Sequence, residues 1–223
     1  MPDALEATIT APVASFRNPL YPGLQAGLPC PPPSTVGGLL AAAAGGWDRV
    51  PLRTRFAMTF RAAGAGTDLE TYHPLASPGI AVNITIKDRD FLADVTLTLW
   101  LTADTDFWER ALRRPAWPLR LGRSQDLVAI RLRHAELTAA AGDQGHAIVP
   151  ETIPGAAGTV MRLTTVVSLD RARSQWGTYR YAAAGASATR IDTGLATEQG
   201  QAVSMLPPVH PASLSPEAPG VPA

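Results

Sequence analysis

The chain has 223 residues and 46% of them are hydrophobic, so it is long enough for one large domain with a substantial core. Its 19 basic and 19 acidic side chains give a formal net charge of zero, so gross charge gives no support for nucleic-acid binding. The single cysteine, Cys30, excludes an internal disulfide and a cysteine-rich metal site, and predicts a free thiol in a reducing compartment.

The N-terminal part predicts a strand followed by a short apolar helix. No basic segment precedes an apolar run, and no run approaches the roughly 20 residues of a membrane span, so we expect a cytoplasmic protein without membrane contact. Alternating apolar residues over Leu5–Ala11 predict a half-buried strand. The prolines within Pro29–Pro33 hold the backbone extended, which makes Ser34 the expected N-cap of a helix that stops at Gly45.

Two glycines lie in the first turns of this helix. Gly37 and Gly38 each cost about 1 kcal/mol relative to alanine in a helix interior. Their presence favours either close packing of the helix on a sheet or the close approach of a polynucleotide or partner backbone. A nucleotide P-loop is excluded because no lysine follows the glycines, and Lys87 is the only lysine in the chain.

Further strands and one helix follow. Alternation over Leu52–Arg61 predicts a strand with Arg53, Arg55 and Arg61 on its outer face, which is either a solvated face or an electropositive face that tracks a phosphate backbone. Residues 62–90 are poor in apolar side chains and predict an excursion with a protruding hairpin over 80–86. The remaining predicted elements are a strand over Phe91–Leu101, a helix capped by Asp104 that ends before Pro115, and strands over Leu127–His134 and Val160–Ser168.

The order strand, helix, strand, insertion, strand, helix, strand predicts an α+β domain of the ferredoxin-like (RRM) pattern. We expect one such domain over residues 1–205. From Leu206 onward, six prolines in eighteen residues predict a disordered tail over 206–223.

Few residues suggest catalysis. The histidines show no metal-ligand spacing, and no metal or other cofactor is expected. Tyr72 and His73, followed by Lys87, could support metal-independent RNA cleavage with histidine as the general base, or they could be a loop pair and a surface lysine. The aromatic-basic run from Trp176 to Tyr181 could stack on bases or simply pack on the domain.

Two motifs carry a resemblance to a known family. Residues 14–19, Gln25 and residues 31–42 resemble the N-terminal signature of the fifth CRISPR-associated (Cas) protein family. Leu121–Ser124, between a proline-ended helix and a strand, is similar to that family's second signature, and Phe91–Val95 resembles its central strand. The resemblance covers most of positions 5–134 in the family's order.

This resemblance implies a ferredoxin-like RAMP core with a thumb at about residues 62–90. It implies a non-catalytic subunit of a type I CRISPR surveillance complex (Cascade) that binds CRISPR RNA (crRNA) and caps its 5′ handle. Such a subunit contacts the backbone subunits and the large subunit, while target DNA is read indirectly by guide pairing. The RNA-binding residues predicted on this basis are Arg17, Ser34, Thr35, Gly37, Gly38, Arg53, Arg55, Arg123 and Ser124.

Two alternatives remain open. One branch of the family cleaves precursor crRNA with tyrosine, lysine and histidine side chains, and Tyr72, His73 and Lys87 are the candidates here, although they do not match that arrangement. The other alternative is a protein-interaction module whose arginines bind an acidic partner without RNA. Salt-dependent RNA binding distinguishes the module from the two RNA-binding functions.

Overall fold

The first strand of the chain lies at the centre of its main sheet. The structure is a computed structural model that describes residues 3–21, 26–72 and 85–214. Its α-helices are α1 (Pro33–Ala44) and α2 (Thr105–Arg113), and short 3-10 helices cover Trp47–Arg49 and Pro211–Leu214. Its strands are β1 (Asp3–Ala14), β2 (Ala57–Arg61), β3 (Gly64–Tyr72), β4 (Thr85–Leu101), β5 (Ala129–Thr138), β6 (Gly142–Gly145), β7 (Val149–Pro150), β8 (Thr159–Val167), β9 (Ser174–Tyr181), β10 (Ala186–Ile191) and β11 (Ala196–Thr197).

The main sheet has the strand order β11-β5-β1-β4-β2, and the pairings within it are antiparallel. Ile9 on β1 lies opposite Leu97 on β4 and Ile130 on β5, which sets the register of the three central strands. The predicted half-burial of β1 is wrong for its first part. Residues 4–7 are all buried, Glu6 included, because chain segments cover both faces of the sheet at that end.

The sheet continues beyond β2. Phe60 N donates to the His146 carbonyl and Ile148 N donates to the Met58 carbonyl, both at 3.1 Å. The chain then enters β7, which pairs with β9, and β9 pairs with β8. The fold is therefore a mixed helix-and-strand architecture made mostly of sheet, and β8 at its far end contacts α1.

Helix α1 forms where the sequence predicts it, but its N-cap differs. Pro32 occupies the N-cap position, and Ser34 lies inside the helix. Val36, Leu39 and Leu40 are buried as the spacing predicts, and the helix ends at Gly45, whose φ of +95° suits glycine. The prolines set the start because a proline fits the first helical positions without losing a hydrogen bond.

Helix α2 also follows the prediction. Trp108 and Leu112 are buried, and the helix ends before Pro115. Asp104 occupies the N-cap position with a φ of +53°, yet its carboxylate makes no capping hydrogen bond.

The predicted strand over Leu52–Arg61 begins late, at Ala57. Residues 51–56 form no strand because Ala57 already pairs with Trp100, close to the end of β4. The backbone before Ala57 bonds instead to the C-terminal segment, since Leu206 N donates to the Phe56 carbonyl at 2.9 Å.

The segment predicted as an excursion contains a two-stranded arm. β3 pairs with β4 from Gly64 opposite Ala93 to Tyr72 opposite Thr85, and most of the arm's side chains are exposed. Of the hairpin predicted over 80–86, residues 80–84 lie outside the described residues.

The C-terminal segment corrects the predicted tail. Leu206, Val209 and His210 are buried, and a histidine ring nitrogen of His210 lies 2.8 Å from the Trp47 carbonyl oxygen. The prolines therefore mark a segment that packs on the domain and contains a 3-10 helix over Pro211–Leu214, while residues 215–223 lie outside the described residues. Within the described ranges, no helix is long and apolar enough to cross a membrane.

Candidate nucleic-acid interface

The two sequence motifs meet in space through one glycine. Gly122 has a φ of +104°, and a Cβ at this position would lie 2.5 Å from the Ser15 carbonyl oxygen. The loop that contains the second motif therefore packs directly on the first motif. Ser15 Oγ in turn donates to the Asp90 carbonyl at 2.6 Å, which ties both motifs to the base of the arm.

Asp90 also fixes the neighbouring loop. Its carboxylate accepts a hydrogen bond from Gly27 N and another from Thr67 Oγ1, each at 3.2 Å. A cavity between Phe16, Gly27 and Phe91 opens beside these contacts. No cluster of three or more His, Cys, Asp or Glu side chains that could hold a metal ion occurs among the described residues.

Arg123 is held by an internal acid. Its Nε lies 3.1 Å from Asp126 Oδ2, and its backbone N donates to the same oxygen at 3.0 Å. The Arg123 side chain is only 13% exposed and that of Asp126 3%, so this ion pair holds the loop in shape. Ser124 beside it is exposed, and its hydroxyl bonds to Gln125.

The two glycines near the start of α1 differ in their surroundings. At Gly37 a Cβ would lie 3.1 Å from both Trp47 and Val209, which favours the packing interpretation, although the glycine packs on these side chains and not on a sheet. At Gly38 a Cβ would meet nothing within 4 Å. Only Gly38 thus leaves the helix backbone open to a ligand.

The side chains at the start of α1 are partly engaged. Ser34 Oγ donates to Thr164 Oγ1 at 2.9 Å and links the helix to β8. Thr35 is half-buried, and its backbone N donates to the Pro32 carbonyl. A pocket beside Ser34 and Gly38 also receives Arg171, an exposed residue at φ +60° that the sequence did not single out.

The other predicted arginines are not brought together. Arg55 Nε donates to the Leu206 carbonyl at 2.8 Å, so this guanidinium holds the C-terminal segment. Arg53 is exposed in the loop before β2. Arg17 is exposed beside Gly27, next to the first motif.

The residues proposed for RNA cleavage are only partly described. Tyr72 is the last residue of β3, and His73 lies outside the described residues. Lys87 lies opposite Glu70 in the arm and is half-buried.

The aromatic run on β9 packs on the domain. Tyr179 and Tyr181 are buried, and burial raises the pKa of both phenols. Tyr181 donates its hydroxyl hydrogen to the Phe60 carbonyl at 3.0 Å, so neither ring is available for base stacking. Trp176 is partly exposed, with the Arg162 guanidinium 5.9 Å from its ring centroid.

His134 lies between two carboxylates that sequence reasoning did not associate with it. Its Nδ1 is 3.2 Å from Asp3 and its Nε2 is 3.3 Å from Glu109. The hydrogen bond with Glu109, and then that with Asp3, raises the pKa of His134 above its usual value. This cluster joins α2 to the ends of β1 and β5.

Comparison with known proteins places this arrangement in a family. The protein-family model described as CRISPR-associated protein (Cas_Cas5) matches residues 4–199. None of the curated proteins compared with the chain matches it.

Three solved structures resemble the fold. One chain of a CRISPR RNA-guided surveillance complex is 22% identical, with a TM-score of 0.52, over 89% of this chain and 93% of that chain. A CRISPR protein from Archaeoglobus fulgidus is 14% identical, with a TM-score of 0.49, over 92% and 99%. A third, described as a Cas protein, is 18% identical, with a TM-score of 0.43, over 83% and 95%. Since the family match spans nearly the whole described chain, this protein belongs to the Cas5 family of CRISPR-associated proteins.

Proposed function

We propose that this chain is a non-catalytic RNA-binding subunit of a type I CRISPR surveillance complex, Cascade, and that it caps the 5′ handle of the crRNA. The observation that carries the proposal is the contact of Gly122 with Ser15, because it joins the two family motifs into one surface. In this function the chain contacts the backbone and large subunits in the cytoplasm, and target DNA is recognised indirectly through the guide.

We assign the fold more finely as a ferredoxin-like core with the β3–β4 arm as its thumb. The sheet order β5-β1-β4-β2 supports this assignment, together with α1 after β1 and α2 after β4. Both helices pack on the same hydrophobic core as Ile9 and Leu97.

On α1, the phosphate contact is expected at Gly38 and not at Gly37. Gly38 is exposed in the second turn of α1, where the missing side chain lets a phosphate come close to the helix backbone. Ser124 is exposed on the second motif, and its hydroxyl can donate to an RNA phosphate there. Arg123 contributes mainly by holding the loop, because Asp126 already neutralises it.

A pair of variants tests the position of the phosphate. Gly38→Glu and Gly38→Gln have side chains of similar size that meet no neighbour close to the Cβ, so both are expected to fold. The glutamate variant should bind a labelled repeat RNA more weakly than the glutamine variant in an electrophoretic shift assay, since only glutamate repels phosphate. Equal binding by the two variants would show that α1 does not contact the RNA phosphates at Gly38.

The same assay separates the alternatives. In EDTA and across a salt series, the wild-type chain should shift handle RNA in preference to scrambled RNA and leave it intact. Metal-independent cleavage that disappears in His73→Ala would instead make the protein a processing endoribonuclease. Absence of RNA binding, both alone and in the co-expressed complex, would favour the protein-interaction module.

A further inference from the structure

One face of the main sheet carries an ordered set of polar side chains. The antiparallel registers place residues of β5, β1, β4 and β2 in rows across this face. The first row is Arg133, Glu6, Trp100 and Ala57, the second is Arg131, Thr8, Thr98 and Thr59, and the third is Ala129, Thr10, Thr96 and Arg61. No residue of α1 or α2 belongs to these rows, which lie on the opposite side from the main core.

The first row is largely buried, and its two charged side chains pair with each other. Ala57 and Trp100 are buried in a small cluster with Val203. Glu6 is 5% exposed, accepts two hydrogen bonds from Arg133 at 2.6 and 2.7 Å, and accepts one from Trp100 Nε1 at 3.0 Å. The buried carboxylate is therefore fully paired, and this row offers a ligand little charge.

The second and third rows are open. Thr10 is exposed and the other threonines of these rows are half-buried. Arg131 on β5 and Arg61 on β2 lie on the two outer strands of these rows, both exposed, and neither makes a hydrogen bond or an ion pair with the described part of the chain. A groove at the third row is lined by Thr10, Arg61, Thr96, Leu127 and one carboxylate, Asp94.

We propose that this threonine–arginine face binds the sugar-phosphate backbone of single-stranded RNA without reading its bases. The inference rests on the RNA-binding function proposed above and adds a second contact surface to it. Arg131 and Arg61 lie three strand spacings apart across the sheet and one row apart along the strands, about 16 Å in all, so they pair with different phosphates of one strand. The threonine hydroxyls between them are suited to phosphate oxygens and to the 2′-hydroxyl of ribose.

The composition of the rows argues for the backbone as the ligand. The two open rows contain no aromatic side chain, so they provide no platform on which a base could stack. An acidic protein would also suit two arginines, but the row of hydroxyl groups between them favours a ligand with regularly repeated polar atoms.

The test compares two double variants of the full-length chain. Arg61→Ala/Arg131→Ala removes both cations from the face, while Arg49→Ala/Arg114→Ala removes two exposed arginines that lie outside the rows. Binding to labelled oligouridylate RNA is measured by fluorescence anisotropy across a salt series, for the chain alone and in the co-expressed complex. The slope of log K against log salt should become shallower by about 1.4 in the first variant, or about 0.7 for each lost phosphate contact, and stay unchanged in the second.

A third variant tests the threonines. Thr8→Val/Thr98→Val keeps the side-chain shape and the strand preference and removes two hydroxyls. It should lose the preference of the wild type for RNA over DNA of the same sequence while it keeps the wild-type salt slope. Thermal melting of every variant confirms that the fold is retained.

The outcomes separate this inference from the function on which it rests. If wild type binds handle RNA and Arg61→Ala/Arg131→Ala binds oligouridylate with the wild-type slope, the face is not an RNA surface, although the proposed function stands. Loss of partner subunits from that variant with an unchanged RNA slope would make the face a protein interface and overturn the inference. If wild type binds no RNA in either form, both proposals fail.

Discussion

Gly122→Ala is the substitution whose effect the structure defines most sharply. A residue other than glycine at φ +104° incurs backbone strain of about 1–2 kcal/mol. In addition, the new Cβ would lie 2.5 Å from the backbone oxygen of Ser15, which cannot move as a side-chain tip can. Relieving that clash should cost a further about 1–3 kcal/mol, so the free energy of unfolding should fall by about 2–5 kcal/mol.

The matched control is Gly155→Ala. Gly155 has a φ of +76°, but a Cβ there would meet nothing within 4 Å, so this variant should show the backbone strain alone. Urea unfolding followed by circular dichroism measures both, and at an m value of about 3 kcal/mol/M each 2 kcal/mol shifts the midpoint by about 0.7 M. Equal midpoints for the two alanine variants would refute the claim that the two motifs pack in close contact.

Three other predictions concern the pH response, the C-terminal segment and the thiol. Because the pKa of His134 is raised in the folded state, its stabilising contribution is fully present below the usual value of 6.5 and is lost as the pH rises through the folded value. The difference in Tm between wild type and His134→Gln should therefore shrink as the pH rises above 6.5, and a constant difference contradicts this. Arg55→Ala should speed proteolysis within residues 206–214, while Arg53→Ala should not, because Arg55, unlike Arg53, donates a hydrogen bond to the Leu206 carbonyl. Burial raises the pKa of the Cys30 thiol, so a maleimide should label native protein far more slowly than urea-unfolded protein, and equal rates would show that the thiol is accessible.

The sequence predicted the helices and strands that are determined by residues close to them in the chain. The prolines before α1 placed that helix close to its observed position, and the alternation over Phe91–Leu101 predicted the later part of β4, which begins at Thr85. The late start of β2 could not be predicted, since it depends on where β4 ends and on a C-terminal segment about 150 residues away in the chain, which bonds to Phe56 and Arg55. Proline content predicted a disordered tail after Leu206, and it could not show that the segment as far as residue 214 would pack on the domain.

The candidate site was predictable in its motifs and less so in its contacts. The family resemblance implied that Arg17, in the first motif, and Arg123, in the second, bind the same RNA. The structure shows that the two motifs touch at Gly122, where only glycine allows the contact. Gly37 is packed and Gly38 is open because Trp47 and Val209 lie against Gly37 only. The local sequence around the helix could not predict where these two side chains lie. The sequence could not predict the open threonine rows either, because they depend on the register between strands.

The arginines of this chain fall into two groups that composition cannot separate. Arg55, Arg123 and Arg133 are each engaged by an oxygen of the protein, and Arg133 neutralises a carboxylate far from it in sequence. Removing any of them changes stability as well as charge, so weaker RNA binding by such a variant would not locate the interface. Arg61 and Arg131 have no such internal partner among the described residues, and an alanine at either position removes charge at little structural cost. The surface that binds phosphate is therefore best mapped first with the arginines that the fold does not use.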